Sequence, residues 1–581
     1  MRPKASQGYS NIPFNPSRLN IWYGVLLLVF AIFLVRLFYL QVIQHGRYSQ
    51  AAHLGQYKEY EIPADRGIIE AHDGPNIVPI VLNEDVYTLF ADPKYIKDPK
   101  GTADQIARII GGNANDYESK MKADTRYAIL AKKLTAAKHE EIDKLEIKGL
   151  GTRVTPQRTY PQGGLAAQLL GFVNDEGEGK YGVEQFLDQQ LKGRPGELKA
   201  ITDAQGVPLI GAGDNVRRDP EAGKRTLLTI DLSMQRRAED TLKAHLESVR
   251  SGSGSVIVMD PNNGAIKAMA NWPSYNPADF AKIEDASVFS NAAVSSPMEP
   301  GSVMKTLTVA AGLDSGAVAP NTSYHDPSFY KIGDATVRNV EEDGGAATRT
   351  VSDILRYSLN TGATWVLMQM SGGGKITEEG RVKWHDYMTN HYKFGQKTGI
   401  EQGYEAEGYV PSPTDGYGLD IQYANTTFGQ GINITPLQMA AAFTATINGG
   451  QYYRPHLVEL ADPNKKESLG TTVSPAVSDT VRGMHENSVQ NNYRFLKRAG
   501  YKVGGKTGTA EVPKPNGGYY DDRYNGTFVG YVGGDKPEYV IMVRVNEPKV
   551  AGYAGTTAAA PLFAKTMDML IQNYAVSQVT Q

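Results

Sequence analysis

One stretch of this chain leaves few options. Residues 21 to 43 read IWYGVLLLVFAIFLVRLFYLQVI, 23 residues with a single charge, Arg36. As a helix it spans roughly 35 Å at 1.5 Å per residue, enough for a hydrocarbon core of about 30 Å. It reads as a transmembrane anchor. Arg36 lies near its C-terminal end, where the guanidinium snorkels to the headgroups instead of residing at the bilayer centre. Arg2, Lys4 and Arg18 precede the stretch with no acidic residue among them, so the positive-inside rule predicts a cytoplasmic tail over residues 1–20 and an outer part from residue 44 onward. A cleaved signal peptide is the competing reading. It would need small residues at its end, where Phe38, Tyr39, Leu40 and Gln41 stand instead. No second stretch is long and apolar enough to span, so the expectation is a single-pass protein.

What remains is too long for one domain; at about 150 residues per domain the 581 residues suggest roughly four. A net charge of −3 implies no nucleic-acid partner, and the absence of cysteine excludes disulfides, thiol nucleophiles, iron–sulfur clusters and Cys-containing zinc sites. Chemistry here rests on hydroxyls, amines, amides or carboxylates.

Residues 44–225 mix strand-like runs (77–82, 86–90) with polar helical stretches (116–121, 136–145) and read as a pedestal-like spacer. A stretch rich in Gly, Asp and Arg ends at Thr226-Leu-Leu-Thr-Ile-Asp231, a predicted strand followed by a helix over 233–246, which places a domain boundary near 225. Beyond it, strands are expected at 256–259 and 265–270 around the turn Pro261-Asn-Asn-Gly264, helices at 303–313, 351–359, 363–370 and 437–447, and strands again at 528–532 and 540–545. Strands at both ends with helices between predict an α/β core whose sheet is closed by distant parts of the chain.

Gly177-Glu-Gly179-Lys-Tyr-Gly182 fits G-x-G-x-x-G, but no buried strand leads into it and Glu176 and Glu178 would repel a pyrophosphate. No H-E-x-x-H, EF-hand or P-loop pattern occurs, so no cofactor or metal is expected. With no histidine pattern to supply a base, a serine beside a lysine is the alternative. Ser-x-x-Lys occurs at Ser119, Ser328 and Ser302. Ser119 with Lys122 reads as a solvated helix face. Ser328 with Lys331 falls in loop or strand, where i and i+3 point apart. Ser302 differs. Glu299-Pro-Gly301 breaks the chain and an apolar helix follows, so Lys305 sits on the same face as the serine hydroxyl. Burial among apolar residues disfavours the ammonium form and leaves an amine able to take a proton. A Ser N-cap beside a snorkelling lysine remains open on this motif alone.

Two further elements narrow the choice. Ser358-Leu-Asn360 falls at a helix break and offers a hydroxyl and an amide; its decoy, Ser274-Tyr-Asn276, sits in a Pro-flanked turn. Lys-Thr-Gly occurs at 397–399, with no strand behind it, and at Lys506-Thr507-Gly508, in an extended Thr/Val stretch running on through Thr509. That strand context selects Lys506, with Gly508 permitting close approach of an extended peptide.

The ordered set Ser302-x-x-Lys305, Ser358-x-Asn360, Lys506-Thr507-Gly508 resembles the signature of penicillin-binding proteins and class A β-lactamases. Over nearly the whole outer chain the resemblance is to the class B, monofunctional penicillin-binding proteins. It extends through Arg66-Gly67-Ile-Ile, Arg158-Thr-Tyr160-Pro161, Gly182-Val-Glu184, Glu299-Pro-Gly-Ser302 and Thr427-Phe-Gly-Gln-Gly431. Glu70 and His72 stand where the family often has Asp and Arg, which affects only local contacts of the pedestal.

The resemblance implies a transpeptidase domain over 226–581 with an antiparallel sheet and a helical lobe, of the penicillin-binding-protein/β-lactamase type. An elongated, mixed α/β pedestal of the dimerisation-domain type would occupy 44–225, with the anchor at 21–43. It implies acyl transfer on peptidoglycan stem peptides ending in D-Ala-D-Ala, with Ser302 as nucleophile, Lys305 as base and Ser358 as proton relay. Asn360 would hold the peptide, Lys506 and Thr507 would receive the terminal carboxylate, and the Ser302 and Thr509 N–H groups would form the oxyanion hole. β-Lactams would acylate Ser302. The location implied is the cytoplasmic (inner) membrane of a bacterial cell. Length and the short tail after Tyr574 resemble the septal, FtsI-type members, whose partners would be a SEDS-type glycan polymerase and other division proteins. An elongation-type member, a membrane-anchored β-lactam sensor and a non-catalytic division scaffold are the alternatives. About 20 cytoplasmic residues are few for a sensor, and the intact motifs weigh against a scaffold.

Overall fold

The computed structural model describes residues 16–48, 57–201, 216–340, 345–462, 465–514 and 517–580. Most of the cytoplasmic tail expected at 1–20 therefore lies outside the described residues. The apolar stretch forms an α-helix, Pro16–Phe38, that passes into a π-helical turn, Tyr39–Ile43. Among the described residues it is the one helix long and apolar enough to cross a membrane. Its side chains from Leu19 onward lie almost entirely unburied, as a lipid-facing surface requires.

The chain divides into two compact units, residues 1–64 with 194–222, and residues 65–193 with 223–581. In the first, Tyr57–Ile62 pairs antiparallel with Gly196–Ile201, which pairs in turn with Val216–Arg218.

The second unit holds two five-stranded sheets. In one, the 16-residue strand Asn76–Ala91 is central: Ile69–Asp73 pairs with its first half, and Ala128–Leu134 and Leu150–Thr159 pair with its second. The sequence predicts two strands here because Asn83-Glu-Asp85 reads as a break. The ladder instead runs straight through, since Asn83 Oδ1 accepts from Arg158 Nη1 at 2.6 Å and residues 84 and 85 pair with Gln157 and Pro156. Thr226–Asp231 runs parallel to Ile69–Asp73 in the same sheet, so the chain passes position 225 inside a shared structure. Arg225 crosses to Glu70 there, 2.5 Å from Nη2 to Oε1, and His72 faces Glu459 at 3.3 Å. Both departures from the family pattern thus have side-chain partners within this unit.

The other sheet is antiparallel throughout, ordered Ile266–Trp272, Ser253–Met259, Pro537–Asn546, Tyr519–Gly533, Lys502–Pro513. Both faces are covered, which is why its strands read as unbroken apolar runs. Val256 and Val258 pack with Leu242, Leu246, Phe563 and Leu570 from the helices Leu232–Ser248 and Ala560–Asn573. Ile257 and Met259 point the other way, into the helical lobe with Leu307 and Phe443. Lobe helices include Met304–Asp314, Val351–Tyr357, Asn360–Met370, Pro436–Ile447 and Pro475–Asn491. The strand Lys502–Pro513 is an outer edge of this sheet. At that edge sheet and lobe meet.

Candidate active site

Ser302 sits in a single 3-10 turn, Gly301–Val303, that feeds directly into the buried helix Met304–Asp314. The turn starts at Gly301 with φ +64°, and a Cβ there would lie 2.7 Å from the Thr509 carbonyl. Only glycine lets the serine turn rest against the Lys506 strand. One helical turn on, Lys305 is 1% exposed and its Nζ donates to Ser302 Oγ at 2.9 Å. The same amine lies 3.1 Å from Ser358 Oγ and is hydrogen-bonded to the Ser358 carbonyl.

Ser358 ends the helix Val351–Tyr357 in the left-handed region, φ 61° and ψ 42°, its N–H bonded to the Ile354 carbonyl. That conformation is uncommon for a residue with a Cβ. Here it reverses the chain within two residues before Asn360 opens the next helix. Lys506 Nζ donates to Ser358 Oγ from the other side at 2.9 Å. The hydroxyl therefore bridges two lysines, one of which touches the Ser302 hydroxyl.

Lys506 is fully buried and is further held by the Thr507 carbonyl at 3.1 Å. Behind it His485, also fully buried, donates Nδ1–H to the Gly505 carbonyl at 3.2 Å. Burial pushes this imidazole down to about 3, against the Gly505 hydrogen bond and with help from the Lys506 charge. A neutral ring here adds no second cation beside Lys506.

These groups open on a cleft of about 810 Å³, lined among others by Ser302, Asn360, Tyr493, Thr507, Thr509 and Glu511. That is the size range of small-ligand sites. Asn360 donates Nδ2 to the Arg338 carbonyl at 3.0 Å, which fixes its amide at the cleft wall. Thr507 Oγ1 lies 2.9 Å from the Tyr493 hydroxyl, and Thr509 Oγ1 accepts from the Gly555 N–H at 3.0 Å. Gly508 faces away from the cleft. A Cβ on it would sit 2.3 Å from Thr527 Oγ1 and 2.6 Å from the Pro300 carbonyl, so the close approach it permits is that of strand to serine turn.

The decoys fall elsewhere. Ser119 is exposed on the helix Ala114–Met121, and Ser328 (φ 70°) precedes the short strand carrying exposed Lys331. Ser274 contacts Gln168. Thr398 is tied to Glu405, with no strand at 397–399. The glycine-rich Gly177–Gly182 segment leads into Glu184, a fully buried carboxylate paired with Arg66 Nε at 2.8 Å and Arg158 Nε at 2.7 Å.

The contacts of several neighbours escape the sequence, even where, as at Glu299, the residue stands in a quoted stretch. Glu299, just before the serine turn, accepts from the Gly431 N–H and the Tyr519 hydroxyl, both at 2.8 Å, and burial raises its carboxyl above the usual range. Tyr493 and Glu511 belong to no motif; Glu511's only sequence signal is its position two residues beyond Thr509.

Residues 254–568 match the penicillin binding protein transpeptidase domain, and residues 61–228 match the penicillin-binding protein dimerisation domain. The chain is 30% identical over 563 residues to stage V sporulation protein D of Bacillus subtilis, covering 94% of this chain and 83% of that one. It is 27% identical over 576 residues to the peptidoglycan D,D-transpeptidase FtsI of Escherichia coli, covering 97% and 93%. In fold it resembles penicillin binding protein 2X from Streptococcus thermophilus, with a TM-score of 0.70, 24% identity, and coverage of 88% and 80%.

Proposed function

We propose for this chain, which belongs to the class B penicillin-binding proteins, a serine acyl-enzyme route to peptidoglycan cross-linking in which Ser302 carries the acyl group. The observation that carries this reading is the Ser358 hydroxyl, 3.1 Å from Lys305 Nζ and 2.9 Å from Lys506 Nζ, with Lys305 Nζ 2.9 Å from Ser302 Oγ. Lys305, as the neutral amine, takes the Ser302 proton as Oγ attacks the carbonyl between the two terminal D-alanines. The proton passes through Ser358 to the departing D-alanine amine, the C–N bond breaks, and an ester on Ser302 remains. The amine of a second stem peptide then attacks this ester, forming a new amide and returning the proton to Ser302. Donors at the N–H groups of Ser302 and Thr509 would stabilise the oxyanion, each worth about 2.7–4 kcal/mol. Thr507, Thr509 and the Lys506 charge behind them would hold the terminal carboxylate, and Asn360 the peptide backbone. β-Lactams would form the same ester.

Labelling with a fluorescent penicillin and mapping the labelled peptide tests the assignment. Label is expected on Ser302 and absent from Ser302→Ala; label elsewhere overturns it. Rapid turnover of a chromogenic cephalosporin, in place of stoichiometric acylation, would instead make the chain a β-lactamase.

The septal role is supported by similarity to FtsI across 97% of this chain; depletion should then give filaments without septa, and rounding would point to elongation. A SEDS-type polymerase is the partner this role calls for, and its failure to co-purify in mild detergent would count against it. An outer location for the catalytic unit is supported by the basic residues before the anchor. Since the chain has no cysteine, Asp124→Cys should be labelled by an impermeant maleimide in intact spheroplasts.

A further inference from the structure

The cleft wall formed by the Lys506 strand has a period of two: Thr507, Thr509 and Glu511 line it, as alternate residues of one strand face must. Each step along this row is roughly 6–7 Å. On the transpeptidase reading, on which this inference rests, the substrate's carboxylate lies at Thr507 and its scissile carbonyl at Thr509. An extended donor continuing in the same direction brings its next residue to Glu511.

Charge on the wall is uneven. Arg338 and Arg356 also line the cleft, and Glu511 is its one carboxylate among the described residues. Glu511 is half-buried, forms no ion pair among the described residues, and accepts one long hydrogen bond, 3.4 Å from Gln430 Nε2. Its negative charge is felt nearby, adding to the burial that raises the Glu299 carboxyl. A carboxylate in this position gains most from a cationic partner brought by the ligand.

We propose that Glu511 is a specificity residue that pairs with an ammonium group on the donor stem-peptide residue preceding D-Ala-D-Ala. The acceptor amine is a different group in a different place. It must reach the ester from the side vacated by D-alanine, toward Ser358 and Lys506, whereas Glu511 lies beyond Thr509 on the other side. The donor class selected is therefore a stem peptide with a side-chain amine at its third position, in its charged form.

Three penicillins that differ in charge at the side-chain α-carbon, the counterpart of the third residue's α-carbon, test the charge preference of this part of the cleft. That carbon bears hydrogen in benzylpenicillin, an ammonium in ampicillin and a carboxylate in carbenicillin. Wild type should acylate with ampicillin about fivefold or more faster than with carbenicillin. Glu511→Gln should abolish the preference and Glu511→Lys reverse it, each rate being taken relative to benzylpenicillin on the same protein. With the thiolester Nα-acetyl-L-lysyl-D-alanyl-D-thiolactate, acetylation of the lysine Nε should raise KM in wild type and leave it unchanged in Glu511→Gln. A preference that survives Glu511→Gln while benzylpenicillin labelling is intact overturns the role of Glu511 and leaves the transpeptidase reading standing. Failure of benzylpenicillin to label wild-type Ser302 overturns that reading and the Glu511 role with it.

Discussion

Lys305 and Lys506 share one hydroxyl: Ser358 Oγ lies 3.1 Å from the first amine and 2.9 Å from the second. Two cations converging on one neutral acceptor would repel strongly in a buried site. The proposed route, in which Lys305 acts as the neutral amine, avoids that repulsion.

Removing that shared acceptor separates proton transfer from binding. Ser358→Ala is expected to lower benzylpenicillin acylation of Ser302 by about 10²–10⁴-fold, the range for a lost acid–base participant. Stopped-flow acylation beside a thermal melt reads both effects. Near-normal acylation of a folded variant would remove Ser358 from the relay.

The strand can meet the serine turn only without a side chain at 508. Gly508→Ala places a Cβ 2.3 Å from Thr527 Oγ1 and 2.6 Å from the Pro300 carbonyl. A loss of about 1–3 kcal/mol in stability is expected for such overpacking, with acylation falling as the turn shifts. Urea unfolding and penicillin labelling check the pair; a variant unchanged in both would show that the contact yields freely.

Glu184 carries the one carboxylate between Arg66 and Arg158, and it is fully buried. Glu184→Ala leaves Arg158 without its counter-charge and Arg66 with only Asp188, 2.8 Å from Nη1, at a cost of about 3–5 kcal/mol. The expected result is a markedly lower urea midpoint. Ser302 chemistry should persist in whatever fraction stays folded. A midpoint within experimental error of wild type would contradict this.

Acid should destabilise the lobe through His485, whose folded value of about 3 lies below its ordinary 6.5. The unfolded chain then takes the proton first. Stability is complete above 6.5 and is lost as pH falls from there toward about 3, at about 1.4 kcal/mol per pH unit. His485→Gln keeps a donor for the Gly505 carbonyl without titrating, so it should lose about that much less per unit between pH 6 and 5. Parallel pH slopes for the two proteins would exclude His485 as the source.

Much of this was legible in the sequence because it depends on local rules. The anchor follows from length and apolarity, and the Ser302–Lys305 pair from helical spacing after a Pro-Gly break. The buried strands 256–259 and 540–545 follow from unbroken apolar runs. The decoys separate for the same reason, since Lys397 lacks a strand and Ser328 lacks a helix. Other features depend on tertiary neighbours. The left-handed Ser358 comes with the close approach of the helices to either side, expected at 351–359 and 363–370, which leave only residues 358 and 359 between them. The strand Asn76–Ala91 runs on through Asn83 because Arg158, 75 residues away, uses that side chain. His485, Tyr493 and Glu511 acquire meaning only from what lies beside them.

The sheet order also dictates when the site can exist. Ser253–Met259 lies beside Pro537–Asn546, and Asn546 Nδ2 meets Ser253 Oγ at 2.8 Å across 293 residues of chain. The strands that complete this sheet, including the one bearing Lys506, are synthesised about 200 residues after Ser302. Ser302 thus leaves the ribosome long before the groups that activate it, and pairings this distant form late in folding. A ribosome that stops short of residue 537 yields an apolar Ser253–Trp272 hairpin with its inner edge open, a target for proteolysis instead of an untimely acyltransferase.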